Sequence, residues 1–254
     1  MSRQPRAPFE FAGTFVPAGR AAVVELSVPP LVTGARISLP VRIFHGRQDG
    51  PVVWVSAAIH GDEIGGVEIV RRVSARLVPR QLRGTVLSVP IVNVHGFLSG
   101  DRYLPDRRDL NRSFPGSTKG SLASRVASSF MREIVARSDV GIDLHTGSDH
   151  RSNLAQLRGD FDDPRTRELA QAFGAPLMLH AGLRDGSLRA AATEAGVTVL
   201  LYEGGEAWRF DEDAIAVGTS GTLRVLATLG MISADDAPAP GRPLEARSSS
   251  WVRA

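Results

Sequence analysis

His60 and Glu63 stand three residues apart in "AAIHGDEIGG" (residues 57–66), His145 closes "DVGIDLH" (139–145) and Glu203 closes "VTVLLYE" (197–203). His60, Glu63 and His145 form a two-imidazole, one-carboxylate set with one short and one long spacer. That is the donor pattern of a catalytic zinc ion that keeps a coordination position open for water. Zinc lowers the pKa of such a water to ~7 and so supplies a nucleophile at neutral pH. Asp143 lies two residues before His145, on the same face of an extended strand, and could orient that imidazole from behind. A polar surface turn explains His60 and Glu63 as readily, and Glu203 in "YEGGE" could be a strand-end carboxylate and nothing more. His45, His95, His150 and His180 are read as hydrogen-bonded polar residues without a metal.

The elements around these residues favour the metal reading. "PVVWVSAAI" (51–59), "GTVLSVPIVN" (84–93), 139–145 and 197–203 are nearly continuous apolar runs, as expected of strands buried on both faces. His60/Glu63, His145 and Glu203 therefore gather at the C-terminal ends of three interior strands, where open α/β sheets bind their ligands. "AAVVELSV" (21–28) and "ISLPVRIFH" (37–45) are predicted near an edge, since Pro40 cannot donate to a ladder. "NLAQLR" and "PLMLH" read as further strands. Helices are expected from about Gly66, with Val67, Val70, Val73 and Leu77 on one side, and over 121–137, with Leu122, Val126, Phe130 and Ile134 four apart. Others open at Asp163-Pro164 and Ser187, and one covers 211–229. Strands alternating with helices make a layered α/β sheet, mostly parallel at its centre. Residues 94–120 show no apolar period, and so long an irregular stretch inside a domain is expected to be functional. After Ile232 the chain turns to the Pro/Ala/Ser-rich "SADDAPAPGRPLEARSSS".

The composition excludes several classes. The 254 residues suffice for one large α/β domain, and 43% hydrophobic with 22% charged is ordinary for a globular chain. There is no cysteine, so disulfides, thiolate nucleophiles and Cys-ligated metals are out. The net charge is only +3, and the 29 arginines are scattered beside a single lysine, Lys119. No block of like charge suggests nucleic acid. No apolar stretch approaches the ~18 residues of a membrane span, and the first residues have no apolar core of the signal-peptide kind; a cytoplasmic location is expected.

"HGDE", "DLNRSFPG", "DLHTG" and "YEGG", in that order, resemble the succinylglutamate desuccinylase/aspartoacylase family, zinc acyl-amino-acid hydrolases related to the metallocarboxypeptidases. The resemblance runs from about residue 37 to 230. It implies a zinc-carboxypeptidase-like α/β fold, a three-layer sandwich with a mixed, centrally parallel sheet. It implies one Zn2+ per chain, held by His60, Glu63 and His145, with Glu203 as general base and acid. It assigns the substrate carboxylate to Asn111 and Arg112, and the polarisation of the scissile carbonyl to an upstream arginine. Arg102 in "DRYLP" matches that arginine's context best, while Arg107 and Arg108 are nearer in sequence. Residues 1–232 are then the zinc hydrolase domain. Residues 233–254 are linker plus the remnant of a C-terminal β domain, with "SSSWVRA" as its opening strand.

Three functions compete. The first is a deacylase that cleaves the amide bond of an N-acyl amino acid, a small-molecule partner compatible with a homo-oligomer. The second is a carboxypeptidase-like or cell-wall peptide hydrolase using the same zinc site. The third is a non-catalytic binding protein, whose expected signature, a lost ligand or a lost Glu203, is absent from the sequence. A dicarboxylic substrate would need one more cation, and Arg151, Arg184 and Arg189 are unranked candidates.

Overall fold

The computed structural model describes residues 6–28, 30, 33–34, 36–148, 150–239 and 241–248. The chain opens with a small hairpin, β1 (Phe9–Phe11) and β2 (Thr14–Val16), followed by β3 (Arg20–Ser27), β4 (Ser38–His45) and β5 (Gln48–Ala57). Then come α1 (Ile64–Arg76), β6 (Arg83–Val89), α2 (Val94–Ser99), α3 (Leu122–Glu133), β7 (Val140–Gly147) and β8 (Asn153–Gly159). The last elements are α4 (Pro164–Phe173), β9 (Leu177–His180), α5 (Leu188–Glu194), β10 (Thr198–Glu206), α6 (Glu212–Thr228) and β11 (Leu244–Ala246).

Strands β3 to β11 form one sheet in the order β11-β9-β8-β10-β7-β5-β6-β4-β3. Its centre, β10-β7-β5-β6, is parallel. The strands β8, β4 and β3 run antiparallel to their inner neighbours. This is the mixed, centrally parallel sheet expected. Both faces are covered, because successive side chains of the inner strands enter different cores. Val53, Val55 and Ala57 of β5 pack with α1, α4 and α6, whereas Trp54 packs with α3, α5 and the β1–β2 hairpin. Alternation in a strand buried on both sides thus builds the three layers. Pro40 sits in β4, next to the edge strand β3.

Three differences from the expected elements have local causes. Helix α1 starts two residues early, at Ile64, with Glu63 at its N-cap. The irregular stretch 94–120 holds the short helix α2, too brief to show an apolar period. It is capped by Asn93, whose side chain accepts from Gly96 N, and closed by Gly100 in the left-handed region. The segment after Ile232 adds the edge strand β11, parallel to β9. Its backbone is also held by Arg224, which donates to the carbonyls of Pro238 and Ala239. The proposed opening strand, 248–254, lies outside the described residues from 249 onward. Among the described residues, no helix is long and apolar enough to cross a membrane.

Candidate active site

Strand β5 ends at Ala57, and Ala58 takes a left-handed φ of 50°. The chain then turns through His60–Glu63 into α1. The glycines allow this turn to be pressed against its neighbours. A Cβ on Gly61 would lie 2.0 Å from the carbonyl carbon of Gly96, and one on Gly66 would lie 3.0 Å from Leu144 O. Glu63, although at the N-cap, makes no side-chain cap bond. Its carboxylate is turned instead to His60 Nδ1 (2.7 Å), His145 Nδ1 (2.8 Å) and the backbone N–H of Thr146 (3.2 Å).

The second nitrogen of each imidazole faces another carboxylate. His60 Nε2 is 3.2 Å from Asp109 Oδ1, and His145 Nε2 is 2.8 Å from Asp143 Oδ2. Asp143 is itself held from the core: Trp54 Nε1 donates to Ser56 Oγ (3.2 Å), which donates to Asp143 Oδ1 (2.8 Å). All three of His60, Glu63 and His145 are buried, and their ligand atoms lie within 4.8 Å of one another. The group fits a metal ion on its chemistry: two nitrogens and one oxygen converge, and each imidazole is backed by a carboxylate that fixes its ring. Despite burial, which acts to lower them, the imidazoles of His60 and His145 are pushed above the usual histidine range by Glu63, Asp109 and Asp143. The two imidazoles hold Glu63 well below the usual carboxylate range against the opposing effect of burial. Carboxylates so arranged demand positive charge at the imidazoles, and a divalent cation can supply it in place of protons.

Glu203 is beside this group because β10 and β7 are parallel and in register, Glu203 pairing with His145. Burial, helped by repulsion from Glu63, raises its pKa against the pull of His145 and Arg158. Asn153 of β8 donates from Nδ2 to Glu203 Oε2 at 2.7 Å. Arg102 reaches Glu63 Oε1 (3.4 Å) and Asp109 Oδ2 (3.1 Å). Arg107 and Arg108 are exposed and do not line the cavity. Asn111 is buried, its Oδ1 accepting from Leu188 N at the start of α5 (2.9 Å), and the next residue, Arg112, lines the same wall.

These residues share one cavity of about 440 Å³. His60, Glu63, His145, Glu203, Arg102, Asn111 and Arg112, all singled out in the sequence, line it. So do Arg151, Arg184 and Arg189, together with Arg158 of β8, which sequence reasoning missed. Asp109 and Asn153 were missed as well. Asp109 opens the quoted "DLNR" and could have been found there; nothing local marks Asn153. Of the other histidines, His45 donates from Nε2 to Ala7 O (2.9 Å) and faces Thr85 Oγ1 through Nδ1 (2.9 Å). His95 is buried, and among the described residues its Nε2 has no hydrogen-bond partner, so the expected hydrogen bond is missing at that nitrogen.

With this geometry in place, comparison with known proteins gives a consistent picture. The sequence profile of the succinylglutamate desuccinylase/aspartoacylase catalytic domain matches residues 49–229. An N-alpha-acetyl-L-2,4-diaminobutyric acid deacetylase of Halomonas elongata is 35% identical over 146 residues, covering 55% of this chain. The match spans 42% of that relative's length. Among solved structures, a succinylglutamate desuccinylase/aspartoacylase from Rhodobacter sphaeroides superposes with a TM-score of 0.80 at 26% identity, over 90% of this chain and 73% of the other. The product-bound ectoine utilization protein EutE (DoeB) from Ruegeria pomeroyi does so with 0.82 at 22% identity, over 96% and 77%. With the profile covering more than half of its length, the chain belongs to the succinylglutamate desuccinylase/aspartoacylase family.

Proposed function

We propose that this chain is a zinc-dependent hydrolase that cleaves the amide bond of an N-acyl amino acid. What supports the reading is that the His60–Glu63–His145 group, Glu203, Arg102 and the Asn111–Arg112 pair all line one cavity. Its volume of about 440 Å³ is in the range of small-molecule sites. Zinc, when bound by His60, Glu63 and His145, supplies a Lewis acid that polarises a carbonyl and acidifies a water. The protein's own groups do the rest. Arg112 and the amide of Asn111 hold the substrate carboxylate, the planar guanidinium matching it with two donors. Arg102 donates to the carbonyl oxygen as negative charge develops there. Glu203 takes the proton of the attacking water on its carboxylate and returns it to the leaving amine nitrogen. Asn153, donating to Oε2, aims that carboxylate, and a pKa raised by burial suits a group that must both accept and release a proton.

The cavity wall also bears on the substrate. Among the described residues, six arginines (Arg102, Arg112, Arg151, Arg158, Arg184 and Arg189) line it, against two carboxylates, Glu63 and Glu203. Such a field favours an acyl amino acid with a second acidic group over one with an ammonium side chain. A hydrolysis panel with zinc restored tests both statements. N-acetyl and N-succinyl derivatives of aspartate and glutamate should be turned over best, N-acetyl-diaminobutyrate poorly and C-terminal peptide bonds least. Preference for peptides would overturn the deacylase reading. Preference for the diaminobutyrate derivative would overturn the acidic-substrate reading alone.

A further inference from the structure

Trp208 is an unexpected residue for its place. It is 44% exposed, so no core requires it. Its φ is 55°, a left-handed backbone that a bulky side chain rarely adopts. Such strain persists where the surroundings over-determine it, and two hydrogen bonds do so here. The backbone N–H of Trp208 donates to Asp62 O at 2.9 Å, inside the turn that carries His60 and Glu63. Its indole Nε1–H donates to Gly100 O at 2.9 Å, two residues before Arg102. The ring also lies 5.5 Å from that of His150, next to the cavity-lining Arg151. One residue just past β10 thus ties together segments that are far apart in sequence. The metal-ligand turn and α2 already touch at Gly61 and Gly96; Trp208 joins them again at the far end of α2, where the Arg102 loop begins.

We propose that Trp208 is a positioning residue that clamps the Gly100 end of the Arg102 loop to the 60–63 turn and so holds the Arg102 guanidinium beside the metal-ligand group. The proposal rests on the reading of Arg102 as the group that polarises the scissile carbonyl. It differs from a general structural role in one respect: its effect on turnover passes through Arg102.

Trp208→Phe keeps an aromatic ring and the backbone bond to Asp62, and removes the indole donor together with the five-membered ring that carries it. In the zinc-loaded protein, kcat on the best N-acyl amino acid should fall ~3–10-fold, the worth of one hydrogen bond. KM should stay within about twofold, and zinc content should be unchanged. In an Arg102→Ala background the same substitution should change kcat less than about 1.5-fold, since the two act as one unit. Equal losses in both backgrounds would overturn the proposal. A second readout needs no substrate. Hydrogen exchange of a peptide covering 97–104 should quicken ~3–10-fold in Trp208→Phe, while a peptide covering 58–64 is unaffected. Unchanged exchange over 97–104 means there is no clamp. If no acyl amino acid is hydrolysed at all, the functional reading fails, and the exchange measurement still decides the clamp.

Discussion

Among the described residues, two groups of histidine and carboxylate side chains bring their ligand atoms within 4.8 Å of one another: His60–Glu63–His145, and Asp160–Asp162–His180 at the ends of β8 and β9. By proximity they are equivalent; by environment they are opposites. In the first, every member is buried, and each imidazole has a carboxylate behind it as well as one before it. In the second, both aspartates are exposed. His180 Nδ1 already accepts the N–H of Phe161 (3.2 Å), so its proton belongs on Nε2. Asp162 Oδ1 is taken by Arg247 (2.7 Å), which holds this carboxyl below the usual range. Asp160 Oδ1 accepts from Asp162 N (3.0 Å). A cation there would have to displace a backbone donor from the imidazole nitrogen itself and compete with water at two exposed carboxylates. In the first cluster Glu63 also accepts an arginine and a backbone N–H, but the imidazole nitrogens face only carboxylates. The difference teaches that ligand types at ligand distances are common on surfaces. What distinguishes a metal centre is lone pairs left for the ion and a second layer of partners that points them.

The sharpest way to break this comparison is to remove a ligand. His60→Ala should bring zinc from about one per chain to near none and abolish turnover, with the fold largely kept because strand packing supplies the core. Elemental analysis beside circular dichroism checks this, and wild-type zinc content would sink the assignment. Glu203→Gln should lower kcat by ~10²–10⁴ while zinc is retained. Loss of the metal in that variant would make Glu203 a ligand. Arg112→Ala should raise KM far more than it lowers kcat, at a cost of ~2–4 kcal/mol for the lost charge-assisted pair. If steady-state kinetics show KM unmoved, Arg112 is only a brace for the 94–120 loop. Asp143→Asn keeps the shape behind His145 and removes its charge. Zinc affinity, titrated against a competing chelator, should drop ~10–100-fold, and an unchanged affinity would deny the backing carboxylates their role. The smallest effect belongs to the other cluster. His180→Ala should leave zinc stoichiometry and kcat unchanged, and a second ion lost with it would erase the contrast.

Much of the site was legible because strand periodicity places side chains by arithmetic. Asp143 and His145 had to share a face, and the β10–β7 register then sets Glu203 beside His145. Which arginine of the 94–120 loop enters the cavity was not legible in this way. Arg102, Arg107 and Arg108 lie within one irregular loop, where no period says which points inward. The structure puts Arg102 in the cavity through its bonds to Glu63 and Asp109, and leaves the other two exposed. The pairings of Asp109 with His60, Asn153 with Glu203 and Trp208 with Gly100 were illegible for a related reason, although Asp109 itself stands in a recognisable motif. They are separated by 49, 50 and 108 residues, and each contact depends on where a loop or strand end lands after folding.

By itself the sequence determined the layered α/β architecture and the gathering of His60, Glu63, His145 and Glu203 at one edge of the sheet. Both follow from local rules: apolar runs that must be buried on two faces, and parallel strands that deliver their ends to the same side. Only the tertiary structure decided which cations face the His60–Glu63–His145 group, which carboxylates stand behind the imidazoles, and which of two similar clusters is buried and backed by partners. Those outcomes turn on distances of a few ångströms between segments remote in sequence. Coulombic and hydrogen-bond energies change steeply over such distances, and no local pattern in a chain encodes them.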